Sequence, residues 1–241
     1  RMRRALIAGV RHLNAHKDHL NTINVFPVAD GDTGTNMAGT MSAVVEGILG
    51  SRERGLNRML RTIADLALSA ARGCSGTILA QFLHGLAQET VDAVHVTTRI
   101  FALGVRRAVA YPFEAVSEPR EGTILTVLRD WGDALTEWGS RSDDFIEVLH
   151  HAYQEALRSL ERTREKLAVL ARAGVVDAGA QGLVHLLAGI TAFISHGRIR
   201  EMDRLDAAVE TDDEPASEAL ERPAFRYCTQ FVLEGSDLDP K

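Results

Sequence analysis

Cysteine is nearly absent. Cys74 and Cys228 are the only two in 241 residues, too few for a disulfide framework, which predicts a reducing, cytoplasmic setting. Aromatic residues are scarce as well, at 5% against 45% for all hydrophobic residues. The core must therefore be aliphatic, which points to packed helices rather than a β-sandwich. No apolar run reads as long enough to span a membrane, and no signal peptide is evident. The net charge is −6, and Glu210 to Arg222, with six acids and one arginine, carries −5 of it. The nearly neutral remainder offers no basic stripe for nucleic acid and no attraction for anionic lipid. A Walker A loop is also missing, since no lysine follows the glycines in that pattern.

What is present is a stretch unlike the rest: Asn24-Val-Phe-Pro-Val-Ala-Asp30-Gly-Asp32-Thr33-Gly34-Thr35-Asn36-Met37. Two carboxylates one residue apart, with glycines that let the backbone turn and approach a ligand, suit a hard cation held by oxygen atoms. Met37, Met41, Val44, Val45 and Ile48 then recur at helical spacing, so the loop feeds a helix N-terminus, where free N–H groups and the helix dipole favour phosphate. Asp-Gly alone is ordinary turn chemistry. A calcium EF-hand is excluded, because it would need an oxygen ligand at Gly34, glycine at Thr35 and glutamate at Met41.

In chain order the apolar periodicity predicts eight helices. They fall at about 4–20, up to 49 after the Asp30 loop, from Leu56, after Cys74, about 93–111 ending at Pro112, from Thr123, about 145–172 with a break near Thr163, and after Gly182. His12, His16 and His19 fall at i, i+4 and i+7 on the first helix, a spacing that could chelate a metal but reads rather as a solvated face. Cys74 reads as a small packing residue. No strand signal precedes residue 224. Residues 1–200 therefore form one helical domain, 201–223 an acidic linker, and 224–241 a strand-like start of a second, mostly absent domain.

If the helices alternate up and down, the even-numbered ones all begin at one end. The loops entering them lie at Asp30, Ser75, Glu121 and Asp177, and all carry glycine with hydroxyl or carboxylate groups. The opposite turns are plain charged connectors. Four positive helix ends and several carboxylates would converge on one spot, which suits a polyphosphate with its magnesium ions.

These four loops, Asn24-x-Phe-Pro-x-x-Asp-Gly-Asp-Thr-Gly-Thr-Asn, Ala71-Arg-Gly-x-Ser-Gly, Pro119-x-Glu-Gly-Thr-Ile-Leu-Thr-Val and Val176-Asp-Ala-Gly-x-Gln-Gly, resemble the DhaL-type nucleotide-binding domain. The resemblance is strongest to the N-terminal domain of bacterial fatty-acid kinase catalytic subunits and extends to the ADP-binding subunit of dihydroxyacetone (glycerone) kinases. It implies an eight-helix antiparallel barrel that holds ATP or ADP and two Mg2+ ions at one rim. Asp30 and Asp32 match the metal ligands, and Asn24 stands near the place of a third aspartate, one residue out of register. Thr33, Gly34, Thr35, Asn36, Gly73, Ser75 and Gly76 match phosphate-contacting positions, and Thr123, Asp177 and Gly179 match the nucleotide pocket. The implied reaction moves the γ-phosphoryl group to a fatty acid carboxylate presented by a separate fatty-acid-binding protein. It implies an acyl phosphate product and no covalent nucleophile, with a homodimer formed through the full-length protein. Tyr227-Cys228-Thr229-Gln230-Phe231 resembles the strand that opens the family's middle domain. A glycerone kinase subunit and a nucleotide-sensing interaction domain without turnover are the alternatives.

Overall fold

The computed structural model describes residues 2–51, 53, 55–90 and 96–196. The expected acidic linker and the strand around Cys228 lie outside the described residues. Among those described there are twelve helical segments and no strand. They are α1 (Met2–Ala15), α2 (Lys17–Thr22), α3 (Thr33–Gly50), α4 (Leu56–Ala70), α5 (Gly73–Glu89), α6 (Thr98–Ala108), α7 (Ala110–Ala115), α8 (Ile124–Gly139), α9 (Phe145–Glu161), α10 (Thr163–Lys166), α11 (Ala168–Ala173) and α12 (Ala178–His196).

Eight of these are rods, and the short segments are breaks within or beside them. The first expected helix divides at His16, the fifth at Val109 and the seventh at Arg162 and Leu167. Pro112, expected to end the fifth helix, instead lies in the first turn of α7, where its missing N–H would have no intrahelical partner. That fifth helix begins at Thr98 rather than near 93, because the Thr97 hydroxyl accepts from Ile100 N at 3.2 Å and caps it. α3 and α12 begin four or five residues earlier than their aliphatic stripes suggest, so the motif glycines lie inside the first helical turns.

Neighbours in sequence are neighbours in space. α3 packs on α4, α4 on α5, α5 on α6, α6 on α8, α8 on α9 and α9 on α12, and α12 closes the ring against α1, which returns to α3. This is the eight-helix antiparallel barrel. Its aliphatic core runs without interruption from Leu13 and Leu20 through Met37, Met41, Leu79, Leu128 and Leu135 to Leu160 and Leu183. The closing seam is tight. A Cβ on Gly9 would stand 2.6 Å from Leu186 O, and one on Gly189 would stand 2.6 Å from Ala8 O.

Two expectations are corrected by the fold. α12 is a helix of 19 residues with mean hydropathy 1.4, long and apolar enough to cross a membrane by length and composition. Histidine, glutamine and glycine interrupt the run and disguise it in the sequence. In the fold 83% of that window is buried, as expected for a core helix that is apolar all round. The histidines of the first helix, in turn, do not form a solvated face. His12 is 4% exposed and faces His185 of α12, which is fully buried.

Candidate functional site

The alternation of the rods brings the N-termini of α3, α5, α8 and α12 to one rim. The glycines report how close they come. A Cβ on Gly73 would collide with Asn36 Nδ2, one on Gly76 would collide with Thr40 Oγ1, and one on Gly179 would lie 3.3 Å from both Ser75 Oγ and Asp177 Oδ2. Gly73 also adopts φ +57°, which side-chain-bearing residues rarely tolerate. The backbone turn that starts α5 is thus specific to glycine.

Asp30 and Asp32 stand exposed at this rim. Burial raises the Asp32 pKa most and the neighbouring Asp30 carboxylate raises it further, while a hydrogen bond from the Asn36 side chain lowers it. The two acids therefore face one another closely enough to repel. Asn24 is buried and donates Nδ2 to Asp30 Oδ1 at 2.7 Å, while its own Oδ1 has no hydrogen-bond partner. A pair of convergent carboxylates beside an orphaned amide oxygen is an all-oxygen donor set, which fits a hard divalent cation such as Mg2+.

The helix ends differ in what they leave open. Neither Asp32 before α3 nor Arg72 before α5 caps its helix through its side chain. The first N–H groups, at Thr33 and Gly34 and at Gly73 and Ser75, are therefore the ones left for an anion, while Thr35 N is taken by Asn21 Oδ1, Asn36 N by Asp32 O and Gly76 N by Arg72 O. α8 and α12 are closed. Asp177 Oδ2 accepts from Ile124 N at 3.0 Å and from Ala180 N at 2.8 Å, joining the two helix ends through one buried carboxylate. Burial pushes its pKa up to about 6 against the pull of those two bonds. Thr123 is buried beside this clamp and donates Oγ1 to Arg120 O at 2.8 Å. Next to it, Glu121 is held by Arg129 at 2.5 Å, chiefly through that hydrogen bond, and its pKa falls to about 2.

Three residues of the rim were absent from the sequence-derived set. Asn21 donates Nδ2 to Thr35 Oγ1 at 2.9 Å and accepts from Thr35 N at 3.0 Å, fixing the first turn of α3. Thr40 is fully buried, donates to Asn36 O at 2.8 Å and accepts from Arg72 N at 3.0 Å, so it ties α3 to the start of α5. The Arg72 side chain is exposed and lies along Gly39, 3.0 Å from where a Cβ would stand. A threonine on the apolar stripe of Met37, Met41 and Val44 was the available signal for Thr40. Asn21 carried none, because its partner is set by the return of the chain.

With this geometry in view, a family model described as DAK2 domain matches residues 27–192. An uncharacterized protein of Staphylococcus saprophyticus is 33% identical over 232 residues, covering 95% of this chain and 42% of that protein. An uncharacterized protein of Staphylococcus aureus is 31% identical over the same length and coverage. The chain thus spans under half the length of the curated relatives it matches. Among solved structures, the dihydroxyacetone kinase from C. freundii in complex with AMP-PNP and Mg2+ superimposes with TM-score 0.61 at 19% identity, over 79% of this chain and 33% of that one. The native form of the same enzyme gives TM-score 0.58 at 20% identity, over 79% and 34%.

Proposed function

Because this chain belongs to the DAK2-domain family, we propose that it is the DhaL-type nucleotide-binding domain of a kinase, taking ATP or ADP with Mg2+ at the four-helix rim. The observation that carries this reading is the meeting of two helix N-termini, at Thr33 and Gly73, whose preceding residues Asp32 and Arg72 do not cap them, with the Asp30/Asp32 pair. The C. freundii enzyme, solved in complex with AMP-PNP and Mg2+ and sharing this fold, supports it. Bound Mg2+ would neutralise charge on the β- and γ-phosphates. The residues assigned to it are Asp30, Asp32 and the Asn24 amide oxygen. N–H groups of Thr33, Gly34, Gly73 and Ser75, with the Ser75 hydroxyl, hold phosphate oxygens. Asn21 and Thr40 keep those turns in place, and Asp177, with Thr123 and Gly179 beside it, sets the spacing of the α8 and α12 ends. Phosphoryl transfer needs positioning and charge stabilisation rather than a covalent nucleophile.

The acceptor in this proposal is a fatty acid carboxylate presented by a separate binding protein. A carboxylate is already ionised near neutral pH, so no general base is required. The support is the sequence around Tyr227-Cys228-Thr229-Gln230-Phe231. A second reading, a subunit acting on dihydroxyacetone, is favoured by the structural likeness to the C. freundii kinase. ATP turnover measured with a fatty-acid-loaded binding protein, with dihydroxyacetone and with neither decides between them. Calorimetry with Mg-ADP tests the shared premise. A folded chain that binds no nucleotide in the presence of magnesium rejects both readings.

A further inference from the structure

The sequence leaves three histidines that the rim does not use, and the fold puts them together. His12 and His16 are one turn apart on the face of α1 that meets α12, and His185 comes from α12 opposite them. The His12 and His185 rings are 5.2 Å apart between centroids, and His16 stacks on His185 at 4.0 Å. One ring nitrogen from each residue lies within 4.8 Å of the other two. We propose that His12, His16 and His185 form a second metal site, distinct from the carboxylate rim and selective for a borderline transition ion of the Zn2+ class.

Four observations support it. First, His12 Nε2 and His185 Nδ1 are 3.4 Å apart. That is long for a hydrogen bond between nitrogens and close to the edge of about 3.3 Å between two nitrogens at 2.0–2.1 Å from a tetrahedral zinc. Second, His16 Nδ1 lies 2.8 Å from the main-chain oxygen of His12. A carbonyl only accepts, so Nδ1 carries the proton and Nε2 keeps the lone pair, the outer-shell arrangement that orients a ligating imidazole. Third, His185 is fully buried between α1 and α12, and an imidazole taken out of water is costly unless its polar atoms are engaged, which an ion at Nδ1 would do. Fourth, the frame is stiff, since the backbones of α1 and α12 touch at Gly9 and Gly189 one turn away.

The ligands are all neutral nitrogens, which suits Zn2+, Co2+ or Ni2+ and not the oxygen-seeking Mg2+. His16 is half-buried and gives the ion its way in. A tilt of that ring about its Nδ1–His12 O bond, out of the stack on His185, closes the site. The fourth position is left to water or to His19, whose buried Nε2 lacks a partner.

The test is equilibrium dialysis of the full chain against Zn2+ in excess Mg2+, using wild type, His16→Ala, His185→Leu and the double variant Asp30→Asn/Asp32→Asn, with helicity checked by circular dichroism. One Zn2+ per chain is expected in wild type and in the double aspartate variant. Affinity should drop by at least ~10-fold in His16→Ala. Co2+ in place of Zn2+ should give the visible absorption of a tetrahedral nitrogen site, lost in the same variant. Should His185→Leu fail to fold, His16→Ala, altered at the half-buried ligand, decides alone. Absence of stoichiometric Zn2+ in wild type, unchanged affinity in folded His16→Ala, or loss of Zn2+ only in the aspartate variant would each overturn the proposal.

Discussion

At the scale of single residues, the molecule holds charge where folding disfavours it, and the sign of each penalty is readable. Asp32 is raised by burial and by Asp30, so Asp30→Asn should abolish magnesium-dependent nucleotide binding while leaving the metal-free protein slightly more heat-stable. Calorimetry with Mg-ADP and a melting curve check both halves. Asp177 titrates at about 6 in the fold against 3.8 ordinarily. The folded state therefore binds more protons across that interval, and stability from this group is present below it and lost as pH rises through 6. His185 is pushed down to about 2, by burial first and by His16, His12 and His19 after it. Its sign is opposite: the unfolded chain takes up the proton, so stability is full above about 6.5 and falls as pH drops. Denaturant titrations should find Asp177→Asn more stable than wild type at pH 8, by on the order of 3 kcal/mol, with the difference closing towards pH 4. Asn retains an oxygen for both N–H groups. Asp177→Ala retains none, and should cost about 1–3 kcal/mol for each N–H left without an acceptor.

At the scale of elements, the α3–α5 contact is the vulnerable one. Gly76 faces Thr40 Oγ1 with no room for a methyl group, and that hydroxyl already serves Asn36 O and Arg72 N. Gly76→Ala should cost about 1–3 kcal/mol by overpacking and should weaken nucleotide binding. Thr40→Val, which keeps the volume but loses both hydrogen bonds, should weaken binding with a smaller packing cost. Melting temperature and Mg-ADP affinity separate the two effects. The rods themselves were legible, because aliphatic residues at helical spacing, such as Met37, Met41, Val44 and Ile48, declare a buried stripe whatever it packs against. Their alternation was legible too, and with it the meeting of the loops at Asp30, Ser75, Glu121 and Asp177. Helix starts were not, because glycine and threonine in Thr33–Asn36 and Ala178–Gly182 read locally as loop and become helical only through tertiary contacts. The histidine cluster was hidden for a related reason. Helical spacing places His12 and His16 on one face, but only the α1–α12 seam supplies His185.

At the scale of the whole molecule, the rim offers a place for a polyphosphate, while the aliphatic stripes are consumed by packing. The isolated chain should therefore bind Mg-ADP yet phosphorylate free fatty acid poorly or not at all, because an acyl chain needs a concave apolar site to hold it near the γ-phosphate. Efficient acyl-phosphate formation by the chain alone, read as product over time, would contradict this. The seam between α1 and α12 has a separate consequence. The first and last rods run antiparallel side by side, with Ala5 and Ala8 against Phe193, so the barrel is a cycle whose chain order has an arbitrary starting point. Joining His196 to Met2 through a short glycine-rich linker and reopening the chain in the polar connection between α3 and α4 should leave every rod beside its present neighbours. Such a circular permutant should keep the helical circular dichroism and the Mg-ADP affinity of the parent chain. A permutant that stays unfolded would mean that the α3–α4 turn, far from the rim, must be continuous for the cycle to assemble.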